Sequence, residues 1–289
     1  MSPVKMRPWD GPALLDRAGE LRDPESLQAV WADPAARVID LDTASRFNLE
    51  PFGSPTAGSF HDDSIAFLGL VDQTPWFARR VDAIAGTTIR DHQLSDLHYE
   101  LVSAGLAVLN WMDGTAYCAR CSGALRRLRG GFAARCTRCD HEHFPRTDPA
   151  VITAVLDPDD RIFLAHQGRW DTGRASILAG FVEAGESAEN AIYREVVEEA
   201  QLTIDSCRYL GSQPWPFPRS LMLAYVARSR SVGNVDRVEL EWGGWFTRAE
   251  VDARVAEGTL ILPGPGSVAA QVIAAWRAGT LPAPEEAYL

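Results

Sequence analysis

From residue 150 onward the chain repeats short apolar runs broken by polar turns. AVITAVL (150–156) and RIFLAHQ (161–167) flank Asp157-Pro158-Asp159-Asp160, and together they predict a β-hairpin. ILAGFVE (177–183) predicts a further strand, which passes through a tight loop holding Gly180 and Gly185 into a helix from about Ser187. Ser187 suits the N-cap, with Glu189 and Asn190 in the first turn. Later runs predict strands at about 208–213, 221–229 and 238–247, then helices at about 248–257 and 267–278. Between the first two of these strands lies SQPWPFPRSLM (212–222). Its three interleaved prolines predict a stiff aromatic loop rather than a ladder. Strands around one central helix, with flanking helices, suit an α/β/α sandwich.

The first half is less sharply patterned. LQAVW (27–31), VIDLD (38–42) and IAFLGL (65–70) are bounded by Pro, Asp and Gly and predict strands. From Leu94 to Met112 the spacing of Leu97, Leu101, Leu106, Val108 and Leu109 predicts a helix. Residues 1–112 therefore read as a mixed α/β domain with no catalytic motif, and His61, His92 and His98 stand isolated in it.

Composition narrows the class. Of the 289 residues 46% are hydrophobic and 23% charged, as in a globular chain able to bury a good core. No apolar run reaches the ~20 residues of a membrane span, and the opening MSPVKMRPWDGP lacks a signal-peptide apolar region. A soluble, cytoplasmic protein is expected. The net charge of -11 argues against broad nonspecific nucleic-acid binding, though it leaves room for a local basic patch.

Two clusters carry chemistry. On the predicted helix Glu195, Glu198 and Glu199 stand at i, i+3 and i+4, so three carboxylates share one face. Such neighbours repel by a few tenths of a kcal/mol per pair. A divalent cation such as Mg²⁺ or Mn²⁺ removes that conflict. Upstream, Cys118-Ala-Arg-Cys121 and Cys136-Thr-Arg-Cys139 are paired knuckles with the spacing of a closed, structural four-thiolate zinc ribbon. His141 and His143 follow closely and could replace a ligand, although four Cys suffice; Cys207 reads as a buried thiol. Arg120, Arg126, Arg127, Arg129, Arg135 and Arg138 surround the ribbon, as a solvated basic face or as contacts for the phosphates of an RNA 5′ end.

The stretch from Gly180 to Leu202 resembles the box of the Nudix hydrolases, Gly-x5-Glu-x7-Arg-Glu-U-x-Glu-Glu-x-Gly-U with U aliphatic. Gly180, Glu186, Arg194, Glu195, Val196, Glu198, Glu199 and Leu202 fall on it, while Gln201 replaces its last Gly. That Gly usually closes the helix at positive φ, so a side chain there costs about 1 kcal/mol or shifts the helix end. SQPWPFPRS also resembles the signature of the NADH pyrophosphatase subfamily, which places a zinc ribbon ahead of its Nudix domain.

The resemblance implies an α/β protein of three parts: an N-terminal α/β domain (1–112, where family members carry a degenerate Nudix-like one), a zinc ribbon (113–144) and a catalytic Nudix α/β/α sandwich (145–289). It implies hydrolysis of NAD(H) to AMP and nicotinamide mononucleotide, and decapping of NAD-capped RNA to 5′-monophosphate RNA. Glu195, Glu198 and Glu199 would be metal ligands or base, and Arg194 would pair with them or with Glu186 to hold the helix against the loop. A further ligand is expected at Glu239, with Glu241 as runner-up; both would lie on one side of a strand. Phe181 and Phe144 match the aromatic positions that sandwich the ring from different protomers of a homodimer. Gln213, Trp215, Ser220, Met222 and Ala269 match pocket positions. Two alternatives remain open: another nucleotide pyrophosphohydrolase, acting on ADP-ribose or coenzyme A derivatives, or a catalytically impaired nucleotide-binding module.

Overall fold

The computed structural model describes residues 12–50, 52–55, 60, 64–235 and 239–285. The opening segment to Gly11, His61 and Val238 lie outside them. The chain divides into two compact units. One is built on Gly11–Thr147 with Pro214–Arg219, and the other on Asp148–Gln213 and Ser220–Leu289.

The first unit begins with a correction. LQAVW is not a strand but the end of helix α1 (Pro24–Trp31). Asp23 caps it by accepting the N–H groups of Glu25 and Ser26, and Pro24 occupies the first turn, where its missing N–H costs nothing. Strands β1 (Arg37–Asp42), β2 (Ile65–Val71) and β3 (Thr74–Val81) form a sheet of order β1-β3-β2, with β1 parallel and β2 antiparallel to β3. Trp31, Phe67 and Phe77 are buried in its core. Helix α2 (Asp96–Gly114) carries Leu101, Leu106, Val108 and Leu109 buried, as their spacing predicts. The ribbon follows, a small sheet of order β4-β5-β6 (Leu125–Leu128, Ala133–Cys136, Glu142–His143).

The second unit is a mixed sheet between two apolar layers. Its strands are β7 (Asp148–Leu156), β8 (Ile162–His166), β9 (Leu178–Phe181), β10 (Ile204–Trp215), β11 (Ser220–Ser229) and β12 (Trp242–Phe246). The order is β10-β11-β7-β8-β12, with β9 also antiparallel to β7. Helix α3 (Ala188–Ala200) supplies Ala191, Ile192 and Val196 to one layer, against Val151, Val155 and Phe163. Helices α4 (Arg248–Ala256) and α5 (Val268–Arg277) supply Val251, Val272, Ile273 and Trp276 to the other, against Ile152, Ala154 and Leu164. This is the expected α/β/α sandwich. In the β7–β8 turn Asp157 accepts the N–H groups of Asp159 and Arg161 and pairs with Arg161 Nε at 2.6 Å.

Two further expectations need correction. The loop predicted at 212–222 shrinks to a turn at 216–219, because β10 continues to Trp215 and β11 begins at Ser220. β10 is an edge of the sheet, so the N–H that Pro214 lacks can point away from the ladder. The last predicted strand begins only at Trp242, which leaves Glu239 and Glu241 on irregular chain before it. Among the described residues no helix is long and apolar enough to cross a membrane.

Candidate active site

The acidic helix is held at both ends by its own sequence. Ser187 Oγ accepts the Asn190 N–H at 3.1 Å, which caps the N-terminus. At the C-terminus Gln201 adopts φ 51° and ψ 33° and donates its N–H to Val197 O at 2.9 Å, closing the helix in the left-handed conformation. The helix therefore ends where the box Gly would end it, with a glutamine in the strained position.

Arg194 organises the carboxylates. Its guanidinium grips Glu186 in two bonds of 3.0 and 2.8 Å, reaches Glu195 at 2.8 Å and Glu198 at 3.1 Å, and donates to the Phe181 carbonyl at 2.9 Å. Glu186 in turn accepts the Glu183 N–H at 3.0 Å. One side chain thus ties the helix to the β9 end and to the loop, by both of the pairings expected for it. The Arg194 bonds hold the Glu186 carboxyl below the usual carboxylate range. At Glu195 burial dominates and pushes the carboxyl up; Arg194 pulls the other way, and the charges of Glu198 and Glu239 add to the rise.

Gly180 shows why β9 needs a glycine there. A Cβ on Gly180 would lie 1.9 Å from Glu195 Cδ, so the carboxylate packs directly on bare backbone. Glu199 is buried at 3% exposure, whereas the Glu198 side chain is 60% exposed. Glu239 and Glu241 diverge. Glu239 acts electrostatically on Glu195, while Glu241 places Oε2 3.6 Å from His166 Nε2. The strand-face expectation fails because β12 starts only at Trp242, after both residues.

The remaining expected positions fall into both units. Phe181, 57% exposed, follows Gly180 at the end of β9. Alternation puts it on the face of Ala179, whose side chain packs in the same layer as Met222 and Ala269. Gln213 is fully buried, and its amide is spent on structure: Nε2 donates to Gly266 O at 2.8 Å and Oε1 accepts the Val268 N–H at 2.6 Å. It pins the loop that enters α5, where Ala269 sits in the first turn. Ser220 is buried at the start of β11, opposite Asp148.

Trp215 and Phe144 belong to different stretches of the chain. Trp215 packs edge-on against Phe217 at 4.9 Å, and Phe144 is exposed after β6. The Pro214–Arg219 turn belongs to the first unit and is anchored there by Tyr99 Oη to Pro214 O at 2.5 Å and by Asn110 Nδ2 to Pro216 O at 2.9 Å.

Sequence pattern gives no sign of His166. It is buried on β8, donates Nδ1–H to Arg174 O at 2.6 Å and stacks on Trp242 at 5.6 Å. A lone His beside apolar residues carries no spacing signal. His92 is exposed and His98 binds Ser95 Oγ at 2.8 Å, so neither joins a cluster. Cys207 is half-buried, not fully buried, since it lies on the edge strand β10.

The cysteines converge. The sulfurs of Cys118, Cys121, Cys136 and Cys139 all lie within 4.8 Å of one another, a group able to hold a metal ion. Backbone N–H groups point at them: Arg120 to Cys118 Sγ at 3.4 Å, Arg138 to Cys136 Sγ at 3.4 Å and Cys139 to Cys136 Sγ at 3.5 Å. The Cys139 N–H leads in drawing the Cys136 thiol down to about 6. Gly123 permits the approach, since a Cβ there would stand 2.9 Å from Cys136 Sγ. The acidic side chains of α3 do not converge in this way, because Arg194 lies between Glu195 and Glu198.

The basic residues around the ribbon divide. Arg127 is buried and donates to the carbonyls of Met112 and Thr115, Arg135 bonds Glu142 at 2.7 Å, and Arg138 donates to Cys121 O at 3.2 Å. Arg120 and Arg126 remain exposed, as does Arg129, whose ion pair with Glu142 is a 3.9 Å contact.

Comparison with known proteins completes the picture. The NUDIX domain model matches residues 146–261. NAD-capped RNA hydrolase NudC of Mycobacterium bovis is 37% identical over 91% of this chain and 92% of its own length. NAD-capped RNA hydrolase NUDT12 of Homo sapiens is 31% identical over 70% of this chain and 50% of its own. A crystal structure of a NUDIX hydrolase from Nitrosomonas europaea superimposes with TM-score 0.42 at 19% identity, covering 47% of this chain and 80% of that one. The chain belongs to the NudC-type branch of the Nudix hydrolases.

Proposed function

We propose that this enzyme hydrolyses the pyrophosphate bond of NAD(H) to AMP and nicotinamide mononucleotide, and removes NAD caps from RNA to leave 5′-monophosphate ends. The observation that carries the reading is the end of β9. Gly180 faces the carboxylates of α3, and the next residue, Phe181, offers an exposed ring on the opposite side of the sheet. A phosphate chain and a flat base can therefore be held at one strand end.

The donor set fits divalent cations: burial pushes the Glu195 carboxyl up, and a cation would relieve the clustering of Glu195, Glu198, Glu199 and Glu239. Those four residues would hold Mg²⁺ or Mn²⁺, whose chemistry there is neutralisation of the pyrophosphate and activation of a water. Glu198, the exposed one of the helix set, would orient that water as ligand or base. Arg194 keeps the set in register through Glu186 and the Phe181 carbonyl. Phe181 and Phe144 would clamp the ring, each stack contributing about 1–3 kcal/mol, in a homodimer. Trp215, Ser220, Met222 and Ala269 would complete the pocket, and Gln213 would act by fixing the loop before Ala269.

Four thiols at ligand spacing support structural zinc in a three-part chain of N-terminal domain, ribbon and catalytic domain. The sulfurs stand 3.8 Å apart for Cys118–Cys139 and 3.4 Å for Cys121–Cys136, near the separation expected for tetrahedral Zn–S bonds of about 2.3 Å. Zinc would hold these thiols reduced, in keeping with the cytoplasmic setting expected for the chain. Arg120, Arg126 and Arg129 are exposed cations of the ribbon available to the phosphates of an RNA body.

A competition assay in Mn²⁺ with NADH, NAD-capped RNA, ADP-ribose and a coenzyme A derivative tests the reading. Consumption of NADH or loss of the cap, well ahead of the other two, is expected. Preferential loss of ADP-ribose or of the coenzyme A derivative would overturn it.

A further inference from the structure

The ribbon carries a fifth donor beside its four thiols. His143 on β6 is fixed by the ladder opposite Ala134 of β5, and its Nε2 lies 3.3 Å from Cys118 Sγ. The sulfur pairs stand at 3.4 and 3.8 Å. A sulfur and an imidazole nitrogen bound tetrahedrally to one zinc, at about 2.3 and 2.0 Å, stand about 3.5 Å apart. The imidazole is thus already at ligand spacing from Cys118, on the edge strand of the small sheet.

We propose that His143 is a reserve zinc ligand, which takes the Cys118 corner when that thiolate is unavailable and converts a four-thiolate centre into one of three thiolates and an imidazole. Zinc accepts either set in structural sites. Exchange replaces an anionic ligand by a neutral one, so no new charge is buried in a protein that already carries -11. The chain stays clipped at four points, and the β4–β6 sheet keeps its closure.

The proposal rests on zinc as the bound metal, and the test separates the two claims. Metal content and the Co²⁺ charge-transfer spectrum are measured on the full-length wild type, C136A, C118A and C118A/H143A. Stoichiometric metal in the wild type with loss in C136A establishes the four-thiolate site; a metal-free wild type would refute zinc itself. Retention by C118A, with a spectrum shifted by one nitrogen ligand, and loss in C118A/H143A are expected. Equal loss in both would overturn the reserve role.

Should C118A fail to fold, zinc release to a chelator is timed for the wild type, H143A and H143Q. Release about 10–100-fold faster in both variants is expected, because neither can hold the metal while a thiolate is detached. H143Q keeps an N–H donor but is a poor ligand. Wild-type release by H143Q would mean that His143 only donates a hydrogen bond to Cys118, and the proposal falls.

Discussion

Gln201 shows how a single residue can depart from a family pattern and leave the backbone unchanged. It sits at φ 51° where glycine is free to sit, and α3 still closes on Val197 O. Gln201→Gly should stabilise the protein by about 1 kcal/mol, raising Tm by roughly 2–4 °C. An unchanged Tm would mean that the glutamine side chain compensates. Glu186 makes a pH-dependent case. Its folded carboxyl is depressed, by Arg194 first, so its contribution is present above the ordinary carboxylate range and is lost as pH falls through the folded value. Glu186→Gln should therefore flatten the acid limb of a Tm-against-pH curve below about pH 4. Parallel limbs in the two proteins would contradict the pairing. Both positions were legible from the spacing of the box residues. His166 was not, because its partners, the Arg174 carbonyl and Trp242, are brought to it by folding.

At the scale of elements, the end of β9 and helix α3 act as one device. Gly180→Ala would drive a Cβ into Glu195 and move the carboxylate. Turnover should fall by about 100-fold or more, with Tm changed by no more than a few degrees, because the collision lies at the site and outside the core. Near-normal turnover would mean that Glu195 is not needed where it stands. Apolar patterning read α2 and α3 well by their spacing, and most strands of the second unit by continuous apolar runs, since these lie between two apolar layers. It failed where local chemistry overrode a short apolar run: Asp23 and Pro24 turned LQAVW into a helix. It also passed over β3, whose pattern is broken by Pro75, Arg79 and Arg80. Those arginines are satisfied only across the fold, Arg79 by Asp40 of β1 at 2.8 Å and Arg80 by Asp113 at 2.8 Å. The edge position that lets β10 carry Pro214 is likewise a property of the assembled sheet.

For the molecule as a whole, an acidic protein keeps its cations for specific work. Arg194 organises carboxylates, and the ribbon arginines are mostly spent on carbonyls and Glu142. The ribbon has few buried apolar residues, so stripping the zinc proposed for it should release hydrogen-exchange protection over residues 117–143 while α3 and β7 stay protected. Uniform loss across the chain would contradict a local clip. The central claim is cation-dependent cleavage of a dinucleotide pyrophosphate on the carboxylates of α3. Its most direct test is product analysis of NADH incubated with Mn²⁺ and either wild type or Glu199→Gln. The account predicts AMP and nicotinamide mononucleotide from the wild type, with a rate lower by about 100-fold or more in the variant. Comparable product from Glu199→Gln, or wild-type cleavage at the glycosidic bond to release nicotinamide, would contradict it.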